Sequence, residues 1–146
     1  MSGYRHVLVA ADLSACCDQV VAAAIDMAAQ GNAKVSLLHV VQSAVALVGE
    51  GEYFAHHNLD DETDFEHDVE IAIGSLAKRH NIPQENITIV AGSIKRQVVK
   101  FVDGHDVDLV VVGAHGHHGI GALLGSQANA ILHAVSCDLL TVRVKS

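Results

Sequence analysis

A chain of 146 residues, half of them hydrophobic, can bury a core as one domain, since a domain of about 150 residues hides roughly 68–70% of the surface its unfolded chain exposes. Its 17 acids against 9 bases give a net charge of −8, which disfavours binding to nucleic acid or to an anionic membrane. The three cysteines include the adjacent pair Cys16-Cys17 and make no disulfide framework, and no apolar run approaches the ~18 residues of a transmembrane helix, so a reducing cytoplasmic setting is expected.

In chain order, Val7-Leu8-Val9-Ala10-Ala11 is a short apolar run of the kind that forms a buried strand, and it is too short for the core of a secretion signal. Asp12-Leu13-Ser14 supplies a helix cap, and Cys17, Val21, Ala24 and Ala28 recur at helical spacing until Gly31-Asn32 stops the helix. Residues 35–41 read as a second strand. Residues 42–62 show no period, and Gly49, Gly51 and His56-His57 suggest a mobile excursion with at most a helical turn. Thr63-Asp64-Phe65-Glu66 is a capping box. It predicts a helix with Phe65, Val69, Ala72, Ile73 and Leu76 on its buried face, ending before Pro83, with the acids between Asp60 and Glu70 as its solvated start. Ile87–Val90 is a third strand, followed by Gly92 and a Ser93 cap. Ile94, Val98, Phe101 and Val102 then mark a helix closed by Gly104. Residues 107–112 form a fourth strand, a glycine- and histidine-rich loop follows, a helix runs from Ser126 to about Val135, and residues 139–144 are a last strand.

With three Phe, two Tyr and no Trp, the core must be layered Val, Ala, Leu and Ile. Strands alternating with helices imply an α/β fold: one domain over residues 1–146, with a parallel sheet and right-handed crossovers. Ligands of such sheets sit beyond the carboxyl ends of the strands, where the strand order reverses. Two segments should end there, Asp12 after the first strand and Gly113 onward after the fourth.

The second of these, residues 113–126, leaves a buried strand, passes through five glycines and enters a helix at Gly125-Ser126. Glycine lets backbone approach a ligand, and a helix start offers free N–H groups to an anion. Phosphate binding and a plain connection both fit these residues. The chain has no Gly-Lys pair, so no P-loop, and Gly116, Gly119 and Gly121 have the wrong order of gaps for a dinucleotide fingerprint. His115, His117 and His118 lie together without a nearby cysteine, so no metal site is expected. No hydroxyl or thiol has a matched histidine and acid, so no catalytic residue and no enzyme activity is expected. Cys16 and Cys17 open a helix, where the dipole lowers a thiol pKa and permits redox sensing; burial of Cys17 is the plainer reading. His39, in mid-strand, reads as a satisfied core residue or one at a dimer face.

The strand ending in Asp12-Leu13-Ser14, the Leu37-Leu38-His39-Val40 strand and Val90-Ala91-Gly92-Ser93 resemble the universal stress protein family. So do residues 108–116, Leu123-Leu124-Gly125-Ser126 and residues 137–143. The resemblance implies a five-stranded parallel sheet of order 3-2-1-4-5, of the adenine nucleotide alpha-hydrolase-like kind, and a cytoplasmic regulatory homodimer paired through the last strand, about residues 138–144. It also implies an adenine nucleotide, ATP with magnesium or manganese. Gly113, His115, Gly116, Gly125 and Ser126 would lie on its phosphates and ribose, Asp12 on the ribose, and Ala11 and Val40 on the adenine. Eight residues separate Gly116 from Gly125 where the family pattern has nine, which leaves a member without nucleotide, acting through protein contacts, as the alternative, and a slow ATP hydrolase as a less favoured third.

Overall fold

The computed structural model describes residues 3–13, 17–41, 59–115 and 126–144. Five parallel strands, β1 (His6–Ala10), β2 (Lys34–Val41), β3 (Ile87–Ala91), β4 (Leu109–His115) and β5 (Asp138–Val144), lie in the order β3-β2-β1-β4-β5. Helices α1 (Cys17–Gly31) and α2 (Leu59–Arg79) cover one face, and α3 (Ile94–His105) and α4 (Ser126–Leu132) the other. The central strands are buried on both faces, which is why they read as unbroken apolar runs instead of alternating. Val7, Leu8 and Val9, like Val110 and Val111, are fully inaccessible to solvent.

Two cores result, one on each side of the sheet. Cys17, Val20, Val21, Ala24 and Ala28 of α1, with Val69, Ile73, Leu76 and Ala77 of α2, pack on Val7, Val9, Leu37, Leu109 and Val111. Val98, Phe101 and Val102 of α3, with Ala128 and Ile131 of α4, pack on Leu8, Leu38, Val40, Val110 and Val112. The predicted faces of α1 and α3 are the buried ones, with Ile94 only half-buried; on α2, Val69, Ile73 and Leu76 are buried and Ala72 half-buried, and the Phe65 side chain lies outside the described residues.

Several boundaries depart from expectation. α2 begins at Leu59, so the Thr63 box lies inside the helix and not at its start. The acids at 60–62 explain the extra turn, because carboxylates favour the positive end of a helix dipole. α3 runs through Gly104, and Asp106 takes the left-handed conformation (φ 53°) as its C-cap, donating its N–H to Val102 O. α4 closes at Leu132, short of Val135. β4 continues past Val112 to His115 because β5 pairs with it that far. Residues 42–58 and the Ser14 cap lie outside the described residues.

The amino ends of the strands are tied by polar groups. The N–H groups of Arg5 and His6 donate to the Asp108 carboxylate at 2.9 and 3.0 Å, fixing the entry of β1 beside β4. The buried His6 ring bridges two elements: Nδ1–H donates to His105 O at 2.8 Å, and Nε2 meets Ser36 Oγ at 2.7 Å. The carbonyl can only accept, so His6 carries its proton on Nδ1 and is free to accept from the Ser36 hydroxyl.

The candidate site at the carboxyl rim

From β1 the chain steps outward to β2 and β3 on one side, then returns to β4 and β5 on the other. The reversal falls between β1 and β4, which are neighbours in parallel register with Val9 beside Val111. The segment after β1, bearing Asp12, and the segment after β4 therefore leave the sheet from adjacent strands at one rim. This is where α/β sheets hold ligands, because diverging crossovers leave a crevice between them.

Asp12 is exposed at this rim. The turn that carries it is held by backbone and side chain together. Ala11 N–H continues the β1–β2 ladder onto Leu38 O at 2.9 Å, while Ala11 O accepts from Nδ1 of His39 at 2.7 Å. Leu13 then turns the chain with φ 61°, a left-handed conformation that few non-glycine residues adopt. Ala11 and Val40 are buried, on opposite faces of the sheet, and are 5% and 8% exposed. His39 is thus a satisfied residue, as its sequence position suggested, and its partner belongs to the rim.

Gly113 is half-buried near the end of β4. A Cβ there would stand 2.9 Å from Val20 Cγ2 and 3.6 Å from Val144 Cγ1, so close packing of α1 already demands glycine, whatever the loop binds. By backbone, His115 closes β4 and Ser126 opens α4. Gly116, Gly125, His117 and His118 lie outside the described residues.

Register adds a cation that the spacing in the sequence conceals. Although Arg143 is far from the glycine loop in the chain, it pairs with Ala114 and so lies at the same rim, exposed, just where β4 ends. α3 also starts at this rim, after the carboxyl end of β3, and carries Lys95 and Arg96, both exposed, in its first turn. The chain has no Lys or Arg between Lys100 and Arg143, and strand order brings positive charge to this rim from elsewhere.

Cys17 is buried, and desolvation pushes its thiol pKa up, against a lesser pull from backbone hydrogen bonds of Leu13 and Asp12. The expected helix-dipole lowering at Cys17 is overridden by burial, which makes this thiol a core group and not a reactive one. Cys16 lies outside the described residues. Cys137 is partly buried, and desolvation raises its thiol pKa as well. Asp18, next along α1, accepts two hydrogen bonds from Arg79 at 3.1 and 3.0 Å and one from His80 at 2.7 Å; Arg79, then His80, holds its carboxyl below the usual range. This cluster ties α1 to the end of α2. Among the described residues no group of three or more His, Cys, Asp or Glu converges as metal ligands. A cavity of about 330 Å³ does exist, but it is lined by Ala33, Lys34, Pro83 and Asn86 at the amino ends of β2 and β3, away from this rim.

The family model described as "Universal stress protein family" matches residues 3–143. Universal stress protein A homolog 1 of Coxiella burnetii is 37% identical over 142 residues, spanning 97% of this chain and 98% of its own. Universal stress protein A of Escherichia coli K12 is 30% identical over 144 residues, 97% of this chain and 96% of its own. Among solved structures, the hypothetical protein MJ0577 superposes with a TM-score of 0.76 at 19% identity, over 98% of both chains. A universal stress protein in complex with cAMP superposes with a TM-score of 0.61 at 22% identity, over 97% of this chain and 98% of that one. Among the described residues, no helix is long and apolar enough to cross a membrane.

Proposed function

The chain belongs to the universal stress protein family, and from that premise we propose that its carboxyl rim binds an adenine nucleotide in a cytoplasmic, regulatory homodimer without enzymatic turnover. The observation that carries this reading is the exit of the Asp12 turn and of the β4 loop from adjacent strands at the point where strand order reverses. The complex of a similar fold with cAMP supports the ligand class.

In this reading the exposed Asp12 carboxylate accepts from ribose hydroxyls, while the backbone of Gly113, His115, Gly116 and Gly125, with Ser126 at the start of α4, faces the phosphates. Ala11 and Val40 offer their backbone to the base. When ATP binds, magnesium or manganese supplies charge that the glycine loop itself lacks. Among the described residues the edge strand β5 has one unpaired side, a template that a second copy closes by two-fold pairing over about residues 138–144. The shortened spacing between Gly116 and Gly125 favours the second reading, the same dimer working through protein contacts without nucleotide.

Equilibrium binding of labelled ATP, with and without magnesium or manganese, separates the two. Saturable binding that is lost in Asp12→Ala and in Gly125→Val/Ser126→Ala upholds the proposed site. Binding that survives both variants moves the site elsewhere, and no binding favours the second reading. Sedimentation equilibrium should give about twice the 15.4 kDa chain mass; a monomer would refute the dimer.

A further inference from the structure

We propose that His39 is a positioning residue for the nucleotide rim, holding the Asp12 turn in its binding geometry from the neighbouring strand. The inference deepens the reading above and rests on it for the ligand.

In a parallel ladder, the Ala11 N–H and carbonyl would both bond the backbone of β2. The N–H does so, donating to Leu38 O at 2.9 Å. The carbonyl instead accepts from a side chain, Nδ1 of His39 at 2.7 Å, on the residue directly beside Ala11 once the β1–β2 register is continued by one. Because the acceptor is a carbonyl, Nδ1 must carry the hydrogen. The imidazole thus replaces a ladder bond at the place where β1 must leave the sheet. It frees the chain to turn through Leu13 at φ 61° without orphaning a carbonyl beside the buried Ala11. The peptide between Ala11 and Asp12 is therefore gripped on its carbonyl, and the Cα of Asp12 inherits that placement. His39 thus reaches the turn from the sheet with a directional donor.

A histidine retained only for packing could be replaced by an apolar residue of similar size. A positioning histidine needs its Nδ1–H donor, which the side-chain amide of asparagine reproduces at a similar reach. The test compares the full chain with His39→Leu and His39→Asn. Backbone amide NMR reads Asp12 without nucleotide, and equilibrium binding reads labelled ATP with magnesium or manganese. The expected result is a displaced or broadened Asp12 amide signal in His39→Leu, with affinity down about tenfold, roughly what a lost hydrogen bond with some misplacement supplies. His39→Asn should restore the Asp12 signal and bring affinity to within about threefold of the wild type. Cooperative melting in both variants shows that they remain folded. The proposal is overturned if His39→Leu leaves the Asp12 amide where it was, or if His39→Asn fares no better than His39→Leu. Should the wild-type chain bind no ATP, the nucleotide reading fails by itself, and the Asp12 amide still decides whether His39 sets the turn.

Discussion

Replacing Gly113 by alanine asks whether this glycine serves the ligand or the fold. The added Cβ would stand 2.9 Å from Val20 Cγ2, where carbon atoms prefer about 3.5–4.0 Å, so roughly 0.6 Å or more must be absorbed. Val20 has little freedom to yield. It is 4% exposed, and a β-branched side chain in a helix keeps essentially one rotamer. Val144, 3.6 Å from the new atom on the other side and also buried, blocks a compensating shift. Backbone strain does not enter, since among the described glycines only Gly92 lies at positive φ. The overpacking cost is about 1–3 kcal/mol. At about 2–4 °C per kcal/mol for a chain of this size, the melting temperature should fall by about 2–12 °C. Urea titration should show a lower midpoint at constant slope. Adding Val20→Ala, which removes the obstructing methyl, should recover part of the loss, a coupling of about 0.5–3 kcal/mol for side chains in contact. The reasoning fails if Gly113→Ala melts with the wild type, or if Val20→Ala and Gly113→Ala simply add. Unchanged melting together with lost ATP binding would make the glycine a ligand requirement alone.

Two further outcomes test the polar ties. Ser36→Ala removes the hydroxyl facing Nε2 of His6, in a place where His6 is 7% and Ser36 2% exposed, and the stranded ring nitrogen should cost about 1–3 kcal/mol in urea denaturation; a loss below about 0.5 kcal/mol would refute the bridge. The Asp18 carboxyl is held below its ordinary 3.8 by Arg79 and then His80, so the folded state favours its ionised form. That contribution is complete above the unfolded value and fades as pH falls through the lower folded one. Asp18→Asn should therefore be slightly less stable than the wild type at pH 7, and the gap should close as pH falls below 3.8. The gap should be small, because both partners of the Asp18–Arg79 pair are about half exposed and surface pairs are screened. A gap that does not change with pH removes the ion pair as its cause.

The sheet and its two helical layers were legible because burial on both faces writes itself as unbroken runs such as 107–112, and helical faces write themselves at fixed spacing, as in Val98, Phe101 and Val102. Helix ends were less legible. Gly104 looked like a stop, but it is accommodated in the last turn of α3 while Asp106, whose short polar side chain tolerates the left-handed conformation, closes it. The start of α2 was misplaced because a capping box is a local signal, and a run of acids ahead of it can extend the helix. At the rim, the exits of β1, bearing Asp12, and of β4 were legible from the alternation of strands and helices. His39 as the partner of Ala11, and Arg143 beside Ala114, depend on register between strands far apart in sequence, and no local pattern encodes that.

The keystone position of β1 has a price during synthesis. Its neighbour β2 follows closely, but β4 pairs with it from roughly a hundred residues downstream, which at ribosomal speeds of about 5–20 residues per second is a delay of several seconds or more. Throughout that interval one flank of a nascent Val-Leu-Val segment lies open to other chains. Chaperone capture and crowding-induced clumping should therefore discriminate most strongly against truncations ending before Leu109, and spare those that end after it.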